Sequence, residues 1–108
     1  MSDQFRLHDP GQGHPERPAR YDAVASAVAA AGAERREAPP ASREALERVH
    51  SPAYVDLIER FCAGGGGALD PDTIVNEASW EAALRAAGGA VAAVEAVAAD
   101  PSVAAFSC

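Results

Sequence analysis

Cysteine is nearly absent from this chain: Cys62 and Cys108 are the two among 108 residues. They form no CxxC pair and no zinc-ribbon spacing. So small a thiol content points to a reduced, cytoplasmic setting and away from a disulfide scaffold. Aromatic side chains are also scarce, at three Phe, two Tyr and one Trp. Much of the hydrophobic fraction is alanine, which buries little area, so a self-standing core is expected to be thin. Positive charge is sparse and dispersed: nine basic residues, at Arg6, Arg17, Arg20, Arg35, Arg36, Arg43, Arg48, Arg60 and Arg85, stand against sixteen acids, for a net charge of -7. No cluster could neutralise several phosphates, which argues against a nucleic-acid partner. The first residues, Met1 to Arg6, lack the apolar core of a signal peptide. The run from Ala82 to Ala99 is broken by Arg85, Gly88, Gly89 and Glu95, which argues against a membrane span. There is no GxSxG, no P-loop and no GxGxxG, and the glycines from Gly64 to Gly67 lack the Lys-Ser/Thr of a phosphate cradle.

What is present is concentrated at the start. The stretch from His8 to Tyr21 gathers His8, His14, Asp9, Glu16, Arg17 and Arg20 among glycines and prolines. It contributes little to a core, and loops that hold many polar groups on a stiff backbone commonly serve a site.

The rest reads as helices with clear punctuation. Pro18 suits a first helical turn, and Tyr21, Val24 and Val28 share one face, predicting a helix from Pro18 to Ala31 stopped by Gly32. Pro39-Pro40 imposes an extended connector. Ser42 is the expected N-cap of a short helix from Arg43 to Val49. Ser51 and Pro52 open another, Ala53 to Cys62, with Tyr54, Leu57, Ile58 and Phe61 as its apolar face. Gly64 to Gly67 is expected to be a flexible break, and Leu69 to Val75 a loop. Ser79 is the expected cap of the last helix, which presents Trp80, Leu84, Ala87, Val91, Val94 and Ala98. Gly88-Gly89 inside it costs about 1 kcal/mol per glycine relative to alanine, an expense that close approach of another backbone explains. Val103 to Phe106 reads as a strand. Unpaired, it would expose both edges, so the sequence reads as cut short of an α/β domain.

Several residues invite a chemical role beside a structural one. His8 and His14 could ligate a metal with Asp9, Glu16 or His50, yet match no common zinc spacing; shaping the loop is the simpler role for His14 and Glu16. Arg20 could point back into the loop, or pair with Asp22 or Glu16 on the surface. Asp70 and Asp72 could bind a cation or accept hydrogen bonds from a ligand's amides, or serve their own turn. His50 reads as a partly buried structural histidine. Cys62 and Cys108 read as small apolar packers, with nothing nearby to activate a thiolate.

Four segments, in order, resemble the N-terminal part of the histone deacetylase superfamily: His14-Pro15-Glu16-Arg17-Pro18-Ala19-Arg20, Arg48-Val49-His50-Ser51-Pro52-Ala53-Tyr54-Val55, Leu69-Asp70-Pro71-Asp72-Thr73, and the helix through Ala86-Ala87-Gly88-Gly89-Ala90. The likeness is to bacterial class II-like deacetylases, acetoin-utilisation proteins and acetylpolyamine amidohydrolases. It implies an arginase-like α/β fold, a parallel sheet flanked by helices, mostly helical over this span. It also implies a zinc ion held by two Asp and one His that polarises an acetyl carbonyl and activates water, a tandem His pair for the protons, and a Tyr for the oxyanion. By the resemblance, Asp72 matches the loop aspartate that accepts hydrogen bonds from substrate amides, with Asp70 the alternative. Arg20 matches an arginine lining an internal cavity, and His14, Pro15 and Glu16 match the pocket rim. The implied substrates are acetylated lysine in proteins or acetylated polyamines and other small amines; homo-oligomers are left open.

In the family, a strand like Val103 to Phe106 leads into Arg-Pro-Pro-Gly-His-His, whereas this sequence ends at Cys108. The zinc ligands, proton-transfer histidines and oxyanion tyrosine are therefore expected beyond it. Residues 1–108 are expected to be the N-terminal part of one domain, inactive and without zinc by themselves. Two rivals remain: a non-catalytic helical interaction module, and a small metal-binding protein using His8, His14 and Asp72.

Overall fold

The computed structural model describes residues 1–107; Cys108 lies outside the described residues. After a 3₁₀ turn at Asp3–Leu7, the elements are α1 (Pro18–Ala30), α2 (Arg43–Glu47), α3 (Pro52–Ala63), β1 (Gly67–Asp70), β2 (Thr73–Val75) and α4 (Ser79–Ala99). The architecture is mixed, with helices beside a two-stranded antiparallel ribbon.

The helix starts follow the local chemistry. Pro18 and Pro52 sit in the first turns of α1 and α3, where a missing N–H costs nothing. The Ser42 and Ser51 hydroxyls accept from the amides of Ala45 (3.1 Å) and Tyr54 (3.3 Å). Ser79 departs from expectation. It is the first residue of α4, and Ala78 is the cap position. An Asx turn does the work instead: Asn76 Oδ1 accepts from the Ala78 amide at 2.9 Å. A capping acid, amide or hydroxyl can act from several positions near a helix start, so the nearest Ser was not the decisive one.

The expected break and loop at 64–75 is in part a ribbon. Gly67 pairs with Val75, Ala68 with Ile74 and Asp70 with Thr73, and the register shifts between Ala68 and Asp70. Strands this short, one of them irregular, carry too little alternation to be read from sequence. Gly66 is required at the entry: its φ is +77°, and a Cβ there would overlap the Val75 carbonyl.

Tyr21, Ala38, Val55, Cys62 and Ala82 form the buried apolar core. Tyr21 is the expected anchor of α1, and Val24 and Val28 beside it are half-buried. In α3 the inward face is Val55, Ile58 and Cys62, spaced i, i+3, i+7; Tyr54 and Leu57 are exposed, so the expected face is rotated by about one position.

α4 divides in two. Ser79, Ala82 and Gly88 are buried in its first half, while Val91, Val94 and Val97 in its second half are exposed. Of the described residues, α4 alone is long and apolar enough, by length and composition, to cross a membrane. Val94 is 69% exposed, so the second half of α4 holds apolar side chains that nothing in the described residues covers. Val103 to Phe106 is not a strand; both named residues are exposed, and Ser107 lies beside Gly89. No strand among the described residues lies alongside to satisfy its backbone, which is what strand formation requires.

The Pro39-Pro40 connector crosses α4 at Gly88. A Cβ on Gly88 would overlap the Pro39 carbonyl and lie 2.7 Å from the Ala41 amide nitrogen. That amide donates to the Leu84 carbonyl at 2.9 Å. Close backbone approach is thus the reason for glycine in this helix.

Candidate functional site

The 3₁₀ turn seats the first loop. Phe5 meets Tyr21 edge-on at 5.6 Å between ring centres, and the Arg6 guanidinium lies over the same ring. Arg6 also donates to Asp22 at 2.7 Å, so Asp22 is taken by Arg6 and not by Arg20. From there the chain enters the loop that was expected to shape a site.

His8 and His14 diverge. His8 Nδ1 lies 2.6 Å from the Ser79 hydroxyl. That hydroxyl accepts from the Asn76 amide at 2.8 Å, and the Asn76 side-chain amide donates to the Leu7 carbonyl at 2.8 Å. This partly buried network fastens the loop to the start of α4. Sequence reading missed it. The available signal was Asn76 three residues before Ser79, a pair able to close a local hydrogen-bonded turn.

His14 instead reaches the ribbon. Its Nε2 lies 3.2 Å from the Asp72 carbonyl oxygen and 3.7 Å from Asp72 Oδ1. Residues 58 positions apart are thereby brought together. On the other side of the ring, Nδ1 accepts from the Glu16 amide at 3.1 Å. The Glu16 carboxylate accepts from Arg20 at 3.0 Å, one helical turn on. Pro15 is exposed between His14 and Glu16.

The two aspartates of the ribbon turn differ in what remains free. Asp70 Oδ1 accepts from the Asp72 amide at 2.8 Å, and Oδ2 from the Thr73 hydroxyl at 2.9 Å. These bonds, the Asp72 amide first, hold the Asp70 carboxyl below its ordinary pKa. The Asp72 side chain is 97% exposed. Asp70 is committed to turn chemistry, whereas the Asp72 carboxylate projects outward with acceptor capacity to spare.

Behind the loop lies a cavity of about 360 Å³, lined by Phe5, His8, Glu16, Arg20, Cys62 and Ser79 among others. Arg20 thus both pairs with Glu16 and lines this cavity. Cys62 is 1% exposed, and burial pushes its thiol up, partly offset by a hydrogen bond with the Trp80 backbone. That is an inert thiol. His50 is exposed, contrary to expectation, with its ring 5.3 Å from that of Tyr54.

Among the described residues, no three His, Cys, Asp or Glu side chains converge as a metal site would require. His8 and His14 go to different partners, so the set of His8, His14 and Asp72 is not assembled. The donor set that zinc needs is not met by the residues present.

A family model, "Histone deacetylase domain", matches residues 14–108. A histone deacetylase-like amidohydrolase of Pseudomonas aeruginosa is 42% identical over 72 residues, covering 67% of this chain and 19% of that protein. A probable deacetylase of Methanothermobacter thermautotrophicus is 34% identical over 96 residues, covering 87% of this chain and 29% of that protein. Among solved structures, the HDA15 HD domain superposes with a TM-score of 0.72 at 31% identity, covering 82% of this chain and 28% of that one. The chain thus spans less than a third of the length of these relatives.

Proposed function

We propose that this chain, which belongs to the histone deacetylase family, supplies the substrate-facing loops of a deacetylase acting on acetylated lysine or acetylated small amines. Asp72 is the residue that engages substrate. Its carboxylate accepts hydrogen bonds from backbone amides flanking the acetylated side chain. His14, Pro15 and Glu16 form the adjoining rim, and Arg20 lines the cavity behind it. The rest of the deacetylase, with the parallel sheet of an arginase-like fold, covers the exposed face of α4. The described residues do not fit zinc; their contribution is binding and orientation.

One observation carries the assignment of Asp72 over Asp70. The Asp70 carboxylate is spent on the Asp72 amide and the Thr73 hydroxyl, while the Asp72 carboxylate is left to the outside. Charge-assisted hydrogen bonds from amides to a fixed carboxylate orient a substrate strongly. In a complete deacetylase domain carrying these residues, Asp72→Ala is expected to lower kcat/KM on an acetyl-lysine peptide by about 10- to 100-fold. Steady-state kinetics checks this, and unchanged kcat/KM overturns the assignment.

A further inference from the structure

We propose that His14 is the positioning residue for Asp72, tying the first loop to the ribbon turn so that the Asp72 carboxylate is held for incoming amides. The proposal rests on the reading of Asp72 given above.

Within the turn that carries Asp72, the Asp70 carboxylate accepts from the Asp72 amide and the Thr73 hydroxyl. That brace fixes the Asp72 amide and leaves its carbonyl and carboxylate unrestrained. His14 meets that other side. Its side chain is 20% exposed, and its Nε2 faces the Asp72 carbonyl at 3.2 Å and the carboxylate at 3.7 Å. Both are acceptors, so Nε2 must carry a proton for the contact to be attractive.

The opposite ring nitrogen is placed so that this condition is easily met. Nδ1 lies 3.1 Å from the Glu16 amide and 3.2 Å from the Glu16 carbonyl. In the neutral ring it accepts from the amide, which assigns the proton to Nε2. The Glu16 carboxylate is itself engaged by Arg20. The loop around it is stiffened by Pro15 and Pro18, so a bond at His14 locates the turn against α1.

The test is kinetic and uses a complete deacetylase domain carrying these residues. His14→Ala should raise KM roughly three- to tenfold for a peptide with amides flanking acetyl-lysine, with kcat little changed. An acetylated diamine, which offers no flanking amides, should show a much smaller rise in KM than the peptide. His14→Gln restores a side-chain N–H near the position of Nε2 and should recover most of the peptide KM. Adding His14→Ala to Asp72→Ala should cost nothing further. Equal losses on both substrates, or no rescue by glutamine, mean a structural role and overturn the proposal. If Asp72→Ala impairs the peptide reaction and His14→Ala does not, the positioning role falls while the reading of Asp72 stands. If Asp72→Ala is silent, that reading fails and the proposal fails with it. In the same complete domain, nitrogen-15 correlation spectra of the neutral His14 ring should show the proton on Nε2; a proton on Nδ1 overturns the tether.

Discussion

Two places where distant parts of the chain meet are built on opposite principles. At Gly88 the Pro39-Pro40 connector lies against the α4 backbone, and contact is enforced by the absence of a side chain. At His14 the first loop meets the Asp72 turn through one imidazole in an otherwise exposed region. The first contact is steric and tolerates nothing added. The second is polar and directional, and it leaves a carboxylate open to the outside. A scaffold needs the first kind and a binding rim the second, because hydrogen bonds aim a group without burying it.

The sharpest way to break this contrast is Gly88→Ala. A mid-helix glycine replaced by alanine ordinarily gains about 1 kcal/mol. Here the added methyl overlaps the Pro39 carbonyl, and its other neighbours are also backbone. We expect a net loss of about 1–3 kcal/mol, read as a lowered urea midpoint. Gly89→Ala is the control: its nearest neighbours would be the Ser107 hydroxyl at 3.0 Å and the Ala38 methyl at 3.2 Å. Ser107 can turn away, so that variant should be close to neutral. A stabilised Gly88→Ala would remove the close crossing from the account.

The crossing was legible before the structure because a glycine pair inside a helix is a local anomaly, and the double proline ahead could only be extended. Caps at Ser42 and Ser51 were legible for the same reason. The loop residues were recognisable as a group, but not their partners. Nothing local says that His14 turns to Asp72 while His8 turns to Ser79. Such pairings are set by how the first loop lies against the ribbon turn and the start of α4, which no short window encodes. The face of α3 was misjudged because periodicity marks Tyr54 and Leu57 as apolar without saying whether anything covers them. The strand expected at Val103 to Phe106 rested on composition alone, and strand identity depends on a neighbour to pair with.

Arg85 is the polar seam of the steric region, and its loss should have the next largest effect. Its guanidinium donates to the carbonyl of buried Ala38 at 2.9 Å, to Glu37 at 3.3 Å and to Glu81 at 2.6 Å. Exposed ion pairs contribute little, so the Ala38 bond dominates. Arg85→Met keeps the apolar stem but leaves that carbonyl without its donor. A loss of about 1–2 kcal/mol in chemical denaturation is expected. A smaller loss than that of Glu81→Gln would mean that the helix ion pair, not the connector, is what Arg85 serves.

The smallest effect belongs to the open region, and pH exposes it. Hydrogen bonds to its charged form depress the Asp70 carboxyl in the folded state. A depressed carboxyl stabilises the fold above its unfolded value of about 3.9, and the contribution is lost as pH falls through the lower folded value. The turn should therefore be fully braced at neutral pH and loosen only in acid, below about pH 4. Amide exchange at Asp72 and Thr73 reads this directly, because the Asp72 N–H is the donor to Asp70. Asp70→Asn removes the titrating group, so the acid-induced rise in turn opening, corrected for intrinsic exchange, should vanish while exchange in α4 stays as it was. If the variant keeps the same acid profile, the brace lies elsewhere, and His14 becomes the main restraint on Asp72.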